Sequence, residues 1–256
     1  MENKIPNIIH FIFGLEKNYG GIPFSIFHFI AIRSSFEINR PKKIYLYYKY
    51  EPNGVWWERA KEFVEPVQVS VPRQIFGNKL YTCAHKADVL RLIILFKYGG
   101  IYLDIDTICV KPFAPLFKYD LVLGRENLYG IEYGLCNAVI MASKKNAFIG
   151  YWLSSYVSFR SKGKDKYWSE HSVAVPLRLA KLFPNLVHIE PESSFFYPSY
   201  TEKDLKMLFE ECLVFSNAYS FHLWESLSYD KYLSKLNKSN IKSRKTSYNN
   251  LARKFL

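Results

Sequence analysis

The stretch KYGGIYLDIDTICVKPF, residues 97–113, ends a run of apolar residues with two aspartates, Asp104 and Asp106. Its apolar part is typical of a buried strand, and a carboxylate at the edge of a hydrophobic sheet costs free energy unless it has a partner or a role. Residues i and i+2 of a strand point to the same side, so the spacing predicts that the two carboxylates converge. Two oxygen ligands without a nearby cysteine favour Mg²⁺ or Mn²⁺, which also bind water and phosphate oxygens. The stretch therefore predicts a divalent-cation site where a strand ends.

The segment before these aspartates predicts a helix with one polar stripe. AHKADVLRLIILFKYGG, residues 84–100, is apolar on most sides and ends on two glycines, a common C-terminal stop. His85, Asp88 and Arg91 recur every three residues and so lie along one stripe of the helix surface. A buried Asp–Arg pair seldom increases stability over apolar side chains. A stripe that faces a cavity explains the pattern better, and a structural ion pair is the alternative.

Hydrophobic periodicity predicts strands that alternate with helices. Strands are predicted at residues 5–14, 42–50, 67–72, 101–105, 120–127 and 137–143, and helices at residues 56–64, 84–100, 147–162 and 172–183. This alternation predicts an α/β fold with helices on the faces of a sheet. Neither an internal repeat nor a linker is evident before residue 230. We therefore expect one domain over residues 1–230, followed by a basic tail, residues 231–256.

The basic tail holds much of the surplus positive charge. It contains eight of the 35 Lys and Arg residues and no acid, within a chain whose formal net charge is +12. Leu233, Leu236, Leu251 and Phe255 are spread through it. Such a segment suits an anionic surface, either membrane headgroups or nucleic acid. A solvated, frayed terminus is the alternative.

Composition and targeting signals favour an ordered cytoplasmic protein. The chain is 49% hydrophobic and 18% aromatic, which is typical of a globular domain. No run approaches the roughly 20 apolar residues of a membrane-spanning helix, and the start, MENKIPNIIHFIFG, lacks the layout of a secretory signal. The four cysteines show no CxxC spacing. We expect a cytoplasmic location, and the basic tail permits peripheral attachment at the inner face of the cell membrane.

Four stretches together resemble one known family. AHKADVLRLIILFKYGGIYLDIDTICVKPF, residues 84–113, closely resembles the signature of glycosyltransferase family 32, the DXD-containing sugar transferases. That family includes fungal mannosyltransferases and bacterial enzymes of capsular polysaccharide synthesis, and the catalytic domains of clostridial glucosylating toxins look like distant relatives. IPNIIHFIFG, NAVIMASKKNAFI and FHLWES resemble further family segments. The resemblance implies a GT-A fold, a Rossmann-like arrangement whose mixed central sheet is flanked by helices.

The resemblance also implies a site. Asp106 would bind a Mn²⁺ or Mg²⁺ ion directly. Asp104, a further metal ligand, would lie near the sugar and ribose of the donor, and His222 would complete the metal site or contact the diphosphate. Asp104, Asp106 and Arg91 would be the catalytic residues, and Phe13, which replaces a family tryptophan, would lie against the nucleobase. The residues expected to bind a nucleotide-sugar donor are Ile12, Phe13, Asp88, Arg91, Tyr102, Asp104, Asn137, Trp224 and Ser226.

The function expected from these observations is sugar transfer. We expect a metal-dependent retaining glycosyltransferase that moves a sugar from a nucleotide sugar to a glycan or lipid-linked acceptor, in surface polysaccharide synthesis. A UDP-sugar is expected before GDP-mannose. The alternative is a basic protein that binds nucleic acid or a membrane surface without catalysis. That alternative leaves the polar stripe and the two aspartates unexplained, so we expect no nucleic-acid partner.

Overall fold

A mixed sheet of seven strands forms the centre of the molecule. The computed structural model describes residues 3–256, so the first two residues of the predicted domain lie outside the described residues. The strands are β1 (Ile8–Ile12), β2 (Lys43–Tyr48), β3 (Glu65–Gln68), β4 (Gln74–Ile75), β5 (Asn78–Lys79), β6 (Gly100–Leu103), β7 (Thr107–Cys109), β8 (Leu121–Leu128), β9 (Ile131–Ala142), β10 (His188–Glu190) and β11 (Ser220–His222). The helices are α1 (Ile26–Asn39), α2 (Val55–Ala60), α3 (Cys83–Tyr98), α4 (Ala147–Ser155), α5 (Val175–Leu182), α6 (Glu192–Phe195), α7 (Glu202–Phe209), α8 (Glu225–Ser228), α9 (Lys238–Ser243) and α10 (Ser247–Ala252).

The strand order of the main sheet is β10-β8-β9-β6-β1-β2-β3. Strands β6, β1, β2 and β3 run parallel to one another, and β10 runs parallel to β8. Strand β9 is antiparallel to both of its neighbours, β6 and β8. The sheet is therefore mixed. Two-stranded ribbons, β4–β5 and β7–β11, lie outside it.

Side chains alternate between two hydrophobic cores, one on each face of the sheet. Along β6, Ile101 and Leu103 join the core that contains α1 and the basic tail. Tyr102, between them, joins the core formed by α3, α4 and α5. This is the period of two that a strand imposes on its side chains. Both faces of the sheet are therefore covered by helices, as an α/β fold requires.

The junction between α3 and β6 follows the predicted pattern. Thr82 caps the start of α3, and the helix ends at Gly99, whose φ is +66°. Gly100 follows with a φ of +109°, and a Cβ atom there would lie 2.5 Å from the Ile8 carbonyl oxygen. Only glycine adopts this backbone at low cost and leaves that space free. The two glycines therefore allow α3 to turn directly into a central strand.

Helix α1 has no counterpart among the predicted elements. Ten of its fourteen side chains are buried, including those of Phe27, Phe29 and Ile30. Apolar residues are spread around the helix and form no single stripe beside a polar face. Because amphipathic spacing is the main sequence signal for a helix, a helix that is buried over most of its surface gives a weak signal.

The basic tail folds back onto the domain. Its helix α10 packs against α7, and the side chains of Leu233, Ile241, Tyr248 and Phe255 are buried in the core that contains α1. The expectation that the apolar residues of the tail are available to a surface is therefore wrong for Leu233 and Phe255, which are 1% and 4% exposed. In residues 3–256, no helix combines the length and the apolar character needed to cross a membrane.

Candidate active site

The two aspartates lie on a turn at the end of β6. The strand ends at Leu103, and the Thr107 N–H donates to the Asp104 carbonyl oxygen at 3.0 Å, which closes a tight turn over Asp104–Thr107. The prediction that strand alternation aligns the two carboxylates is therefore wrong, because the turn brings them together. The Asp104 N–H still donates to the Ala138 carbonyl oxygen of β9 at 2.8 Å. This bond holds the turn at the end of the central sheet.

The ribbon β7–β11 brings His222 to the aspartates. Antiparallel pairing places His222 opposite Thr107, so the imidazole stands beside Asp106 although 116 residues separate them in sequence. His222 Nε2 lies 3.1 Å from Asp106 Oδ1 and 3.8 Å from Asp104 Oδ2. The N–H of Glu225 donates to Asp106 Oδ2 at 2.7 Å. The chain after β11 therefore wraps around Asp106.

These three side chains fit a divalent metal ion. Asp104, Asp106 and His222 each offer one ligand atom, and the three atoms lie within 4.8 Å of one another. Two carboxylate oxygens and one imidazole nitrogen form a common ligand set for divalent cations. Two carboxylates placed side by side repel each other unless positive charge is present. The cluster therefore favours the binding of a cation.

Burial and neighbouring charges have opposing effects on the pKa values of the three side chains in this cluster. Burial raises the pKa of Asp104, although the positive charges of Arg91 and His222 oppose that change. Burial acts in the same direction at Asp106, but the charge and hydrogen bond of His222 outweigh it and lower the pKa of Asp106. At His222, burial disfavours the charged ring, and the two carboxylates outweigh it and raise the pKa of His222. Asp106 and His222 therefore stabilise each other's charged forms.

The polar stripe of α3 reaches the same turn. Arg91 Nη1 lies 3.0 Å from Asp104 Oδ1 and donates to the Asn137 carbonyl oxygen at 2.8 Å. Asp88 Oδ1 lies 3.2 Å from Arg91 Nη2 and accepts from Asn137 Nδ2 at 2.7 Å. The Tyr102 hydroxyl donates to Asp104 Oδ1 at 2.7 Å, and its ring lies under the Arg91 guanidinium. Two of the three stripe residues therefore contact the site, and the ion pair of the structural alternative also forms.

His85, the first residue of the stripe, does not reach the aspartates. Its ring packs against Phe159 and Trp168, and its Nε2 lies 3.3 Å from the Trp168 carbonyl oxygen. Asp88 and Arg91, one and two turns further along α3, pair with each other, and Arg91 also pairs with Asp104. The stripe therefore divides into a packing residue and two charged residues of the site.

Two adjacent cavities with five lining residues in common open beside the cluster. The polar cavity, about 260 Å³, is lined by Ile12, Ala84, Ala87, Arg91, Tyr102, Asp104, Ile105, Asp106, His222, Trp224, Glu225 and Ser226. The apolar cavity, about 190 Å³, is lined by Ile12, Phe13, Gly14, Leu15, Glu16, Tyr19, Gly20, Ile22, Cys83, Ala84, Ala87, Ile105 and Glu225. Most residues expected to bind a donor therefore line one cavity or the other. Asp88 and Asn137 do not, and they support Arg91 instead.

Phe13 and Trp224 both have most of their ring surface covered. The Phe13 ring packs against Tyr19, Phe24 and His28 and is 8% exposed, so its stacking on a nucleobase stays a prediction. The Trp224 ring packs against His222, and its indole N–H donates to the Pro198 carbonyl oxygen. Trp224 therefore supports His222 as well as lining the polar cavity.

One pair of residues in this region, His28 and Glu225, was not predicted from the sequence. His28 lies on α1, and its Nε2 is 2.8 Å from Glu225 Oε1. No spacing connects two residues so far apart in the chain. A local signal existed at the start of α1, where Ser25 and His28 form a capping box.

The mixed sheet and the paired aspartates on the turn are those expected of a sugar transferase of the GT-A class. Residues 27–125 match the model of a family described as "glycosyltransferase sugar-binding region containing DXD motif". The chain is 35% identical, over 265 residues, to glucan organizing enzyme 1 of Cryptococcus neoformans var. grubii, an alignment that covers 98% of this chain and 71% of that protein. The chain therefore belongs to the family of DXD-motif glycosyltransferases. This confirms the family and the enzyme class expected from the sequence.

Further similarities agree with this assignment. Inositol phosphoceramide mannosyltransferase 3 of Schizosaccharomyces pombe is 41% identical over 64 residues, which are 25% of this chain and 17% of that protein. Mouse xyloside xylosyltransferase 1 is similar in structure, with a TM-score of 0.51 at 11% identity, and 86% of this chain and 98% of that chain are covered. Glycosyltransferase GlyE of Streptococcus pneumoniae TIGR4 has a TM-score of 0.50 at 13% identity, with 98% and 60% covered. At these identities the two structures show the fold alone, and the GT-A prediction is confirmed.

Proposed function

We propose that the enzyme transfers a sugar from a nucleoside diphosphate donor to a glycan or lipid-linked acceptor, with a divalent cation and with retention of configuration. The observation that carries this proposal is that the two cavities lie side by side, with five lining residues in common. The apolar cavity suits a nucleobase, and the polar cavity, with Arg91 and the Asp104–Asp106–His222 cluster, suits a diphosphate. One elongated ligand with an apolar end and an anionic middle would fill both.

Fixed charges in the polar cavity would support the departure of the nucleotide. A Mn²⁺ or Mg²⁺ ion held by Asp104, Asp106 and His222 would supply positive charge against the diphosphate. Arg91 adds a permanent positive charge beside that site. Because Asp88, Asp104 and the Asn137 carbonyl hold its guanidinium in place, Arg91 is already oriented before a donor binds.

The hydrogen bonds that the carboxylates of the polar cavity already accept support retention of configuration without a covalent sugar–enzyme intermediate. The carboxylates that line the polar cavity are Asp104, Asp106 and Glu225, and each accepts a hydrogen bond from a protein group. Asp104 and Asp106 are the proposed cation ligands and Glu225 is held by His28, so we assign none of the three as a covalent nucleophile. We therefore propose front-face attack, in which the bond from C1 to the phosphate oxygen breaks while the acceptor oxygen bonds to C1 from the same side. The acceptor proton passes to the departing phosphate.

The names of the relatives guide the choice of ligands. One relative is named for glucan and another for transfer of mannose to inositol phosphoceramide, which is a lipid. We propose a UDP-sugar as the first donor to test and GDP-mannose as the second. For the acceptor we propose a surface glycan or a lipid-linked sugar.

A thermal-shift screen tests the donor and the cation together. A ligand present at about 100 times its Kd stabilises the folded state by about 2.7 kcal/mol, which raises Tm by roughly 5–10 °C in a chain of this size. We expect UDP or GDP to produce such a shift with Mn²⁺ or Mg²⁺ and a much smaller one with chelator. The Asp106→Asn variant serves as the control that loses the shift. The proposal fails if neither nucleotide raises Tm in the presence of either metal.

We also propose that the basic tail holds the enzyme peripherally at the inner, cytoplasmic face of a membrane. Its exposed basic residues are Lys231, Lys235, Lys238, Lys242, Arg244, Lys245 and Lys254. Arg253 is turned inward, and its guanidinium donates to the carbonyl oxygens of Ile241, Arg244 and Asn249. With the apolar residues buried, the exposed surface of the tail is cationic. Attraction to anionic lipid would therefore be electrostatic and sensitive to salt.

Sedimentation with lipid vesicles tests the membrane proposal. Each basic residue near an anionic surface contributes about 1 kcal/mol, so changing Lys238, Lys242, Lys245 and Lys254 to Gln should weaken binding to phosphatidylglycerol vesicles at least 100-fold. Point changes are preferable to deletion because the tail supplies core residues. Changing the exposed Lys162, Lys164 and Lys166 to Gln is the matched control. Equal sedimentation of the tail variant and the unchanged protein would contradict the proposal.

A further inference from the structure

One polar side chain stands where the two cavities meet. The residues that line both cavities are Ile12, Ala84, Ala87, Ile105 and Glu225. Four of these five are apolar, so Glu225 supplies the charged group at the junction. A ligand that extends from the apolar cavity to the metal-binding turn must pass this carboxylate.

The position of the Glu225 carboxylate is set by His28. The His28 ring is fully buried, and its Nδ1 accepts a hydrogen bond from the Ser25 N–H at 2.9 Å. Because Nδ1 is an acceptor, Nε2 carries the proton and donates it to Glu225 Oε1 at 2.8 Å. Rings of Phe13, Phe24 and Phe27 pack around the imidazole. The imidazole is thus held in one orientation and fixes one carboxylate oxygen.

The other carboxylate oxygen is available to a ligand. Within residues 3–256, Glu225 Oε2 has no hydrogen-bond donor, and the side chain is 21% exposed. Oε2 therefore offers a fixed acceptor at the junction between the cavities. The backbone N–H of the same residue donates to Asp106 Oδ2, so the acceptor is tied to the metal-binding turn.

The chemistry of a carboxylate limits what it can bind there. It accepts hydrogen bonds, binds cations and repels phosphate oxygens, so within a nucleoside diphosphate it can contact only a neutral part that carries hydroxyl or N–H donors. In a nucleoside diphosphate, the ribose lies between the base and the phosphates and carries two adjacent hydroxyls. An acidic residue recognises the ribose hydroxyl in the same way in dinucleotide-binding folds. The order of the cavities thus matches the order of groups in the donor.

We infer that Glu225 accepts a hydrogen bond from the ribose 2′-hydroxyl of the donor and makes the enzyme selective for ribonucleotides over 2′-deoxyribonucleotides, with His28 as its positioning residue. This inference rests on the proposed function, because it requires a nucleoside diphosphate in these cavities. It assigns to Glu225 and His28 a selectivity for the sugar of the nucleoside, which is separate from the diphosphate contacts proposed for Arg91.

Calorimetric binding of UDP, GDP and their 2′-deoxy forms, in the presence of Mn²⁺, tests the inference. A hydrogen bond to a charged group contributes enough for the unchanged protein to bind the ribonucleotide about 10- to 100-fold more tightly. We expect Glu225→Ala to bind the two forms within about twofold of each other, and Glu225→Gln to show an intermediate ratio. We expect His28→Phe, which keeps an aromatic ring in the cluster, to lower the ratio without changing the affinity for the 2′-deoxy form.

Glu37→Gln is the matched control, because Glu37 lies on the same helix as His28 and pairs with Arg33 at the surface. It should keep the full ratio. If the unchanged protein binds ribo and 2′-deoxy forms equally, the inference is wrong and the proposed donor class stands. If Glu225→Ala and Glu225→Gln weaken both forms by the same factor, Glu225 acts on another part of the ligand and the inference is also wrong. If no nucleoside diphosphate binds with Mn²⁺, the proposed function itself fails.

Discussion

The active site and the basic tail are both rich in charge, but they place it in opposite ways. The site buries Asp88, Arg91 and Asp106 beneath the surface and surrounds each with partners. The basic tail buries its apolar side chains and leaves its basic side chains exposed. One of the exposed basic residues of the tail, Lys231, contacts the carboxylates of Glu202 and Glu210.

This difference between buried and exposed charges indicates which charged residues require a functional explanation. Moving a charge out of water costs several kcal/mol, and removing its partner leaves that cost uncompensated. An exposed charge pays almost no such cost and contributes little to stability. Charges in the site are therefore informative about chemistry, whereas those in the tail are informative about surfaces that the enzyme meets.

The largest effect should come from removing the cation at the centre of the buried network. Arg91→Met should lower the free energy of unfolding by about 3–5 kcal/mol, because Asp88 and Asp104 would remain buried without their positive partner. Urea denaturation followed by circular dichroism measures the loss. The control is Arg160→Met, which removes an exposed ion pair with Glu170 and should cost no more than about 1 kcal/mol. Equal losses would show that burial does not distinguish the two regions.

The next effect tests whether the basic tail is part of the core. Ile241 is fully buried, so Ile241→Ala should lower the free energy of unfolding by about 2–5 kcal/mol through lost contacts and a new cavity. The neighbouring exposed residue provides the control, since Lys242→Ala should change stability by no more than about 0.5 kcal/mol. A small loss for Ile241→Ala would mean that the tail contributes little to the fold.

A third effect separates chemistry from stability within the site. Asp106→Asn should reduce sugar transfer by about 100-fold or more, because a neutral amide no longer binds the cation that offsets diphosphate charge. Asparagine keeps the volume of the side chain and an oxygen that can accept from Glu225, so a large change in the unfolding midpoint is not expected. Turnover of donor is the measurement, with exposed Asp230→Asn as control. Near-normal turnover in Asp106→Asn would contradict the assignment of the site.

The smallest effect concerns single charges of the tail. Lys238→Gln or Lys245→Gln should change the free energy of unfolding by no more than about 0.5 kcal/mol, since neither side chain is buried or paired with a carboxylate in residues 3–256. Chemical denaturation at low and high salt measures it. A loss above about 1 kcal/mol would mean that these cations stabilise the fold and are not reserved for an external surface.

Local patterns allowed part of this enzyme to be predicted. The helix that ends on Gly99 and Gly100, the strand after it and the Asp104–Asp106 spacing all lie within one short stretch. Their signals are periodicity and glycine conformation, which depend on near neighbours. The alternation of strands and helices along the chain likewise sufficed for the α/β class.

Long-range packing decided the rest. The bond between Asp104 and Ala138 of β9 holds the turn with the two aspartates at the end of the central sheet, whereas strand spacing suggested a different cause of their convergence. His28 contacts Glu225 across 197 residues, and the buried residues of α1 form no single stripe. The periodic spacing of residues along the sequence does not predict contacts between such distant positions.

The family, the Asp104–Asp106 pair and the net charge of the tail could all be read from residue types within short segments. Which of these charges are buried, which residues support them and where the two cavities lie became known from the folded chain. Burial and pairing arise when distant segments of the chain come into contact. The free-energy cost of a buried charge, and the function that the charge can serve, therefore depend on those contacts.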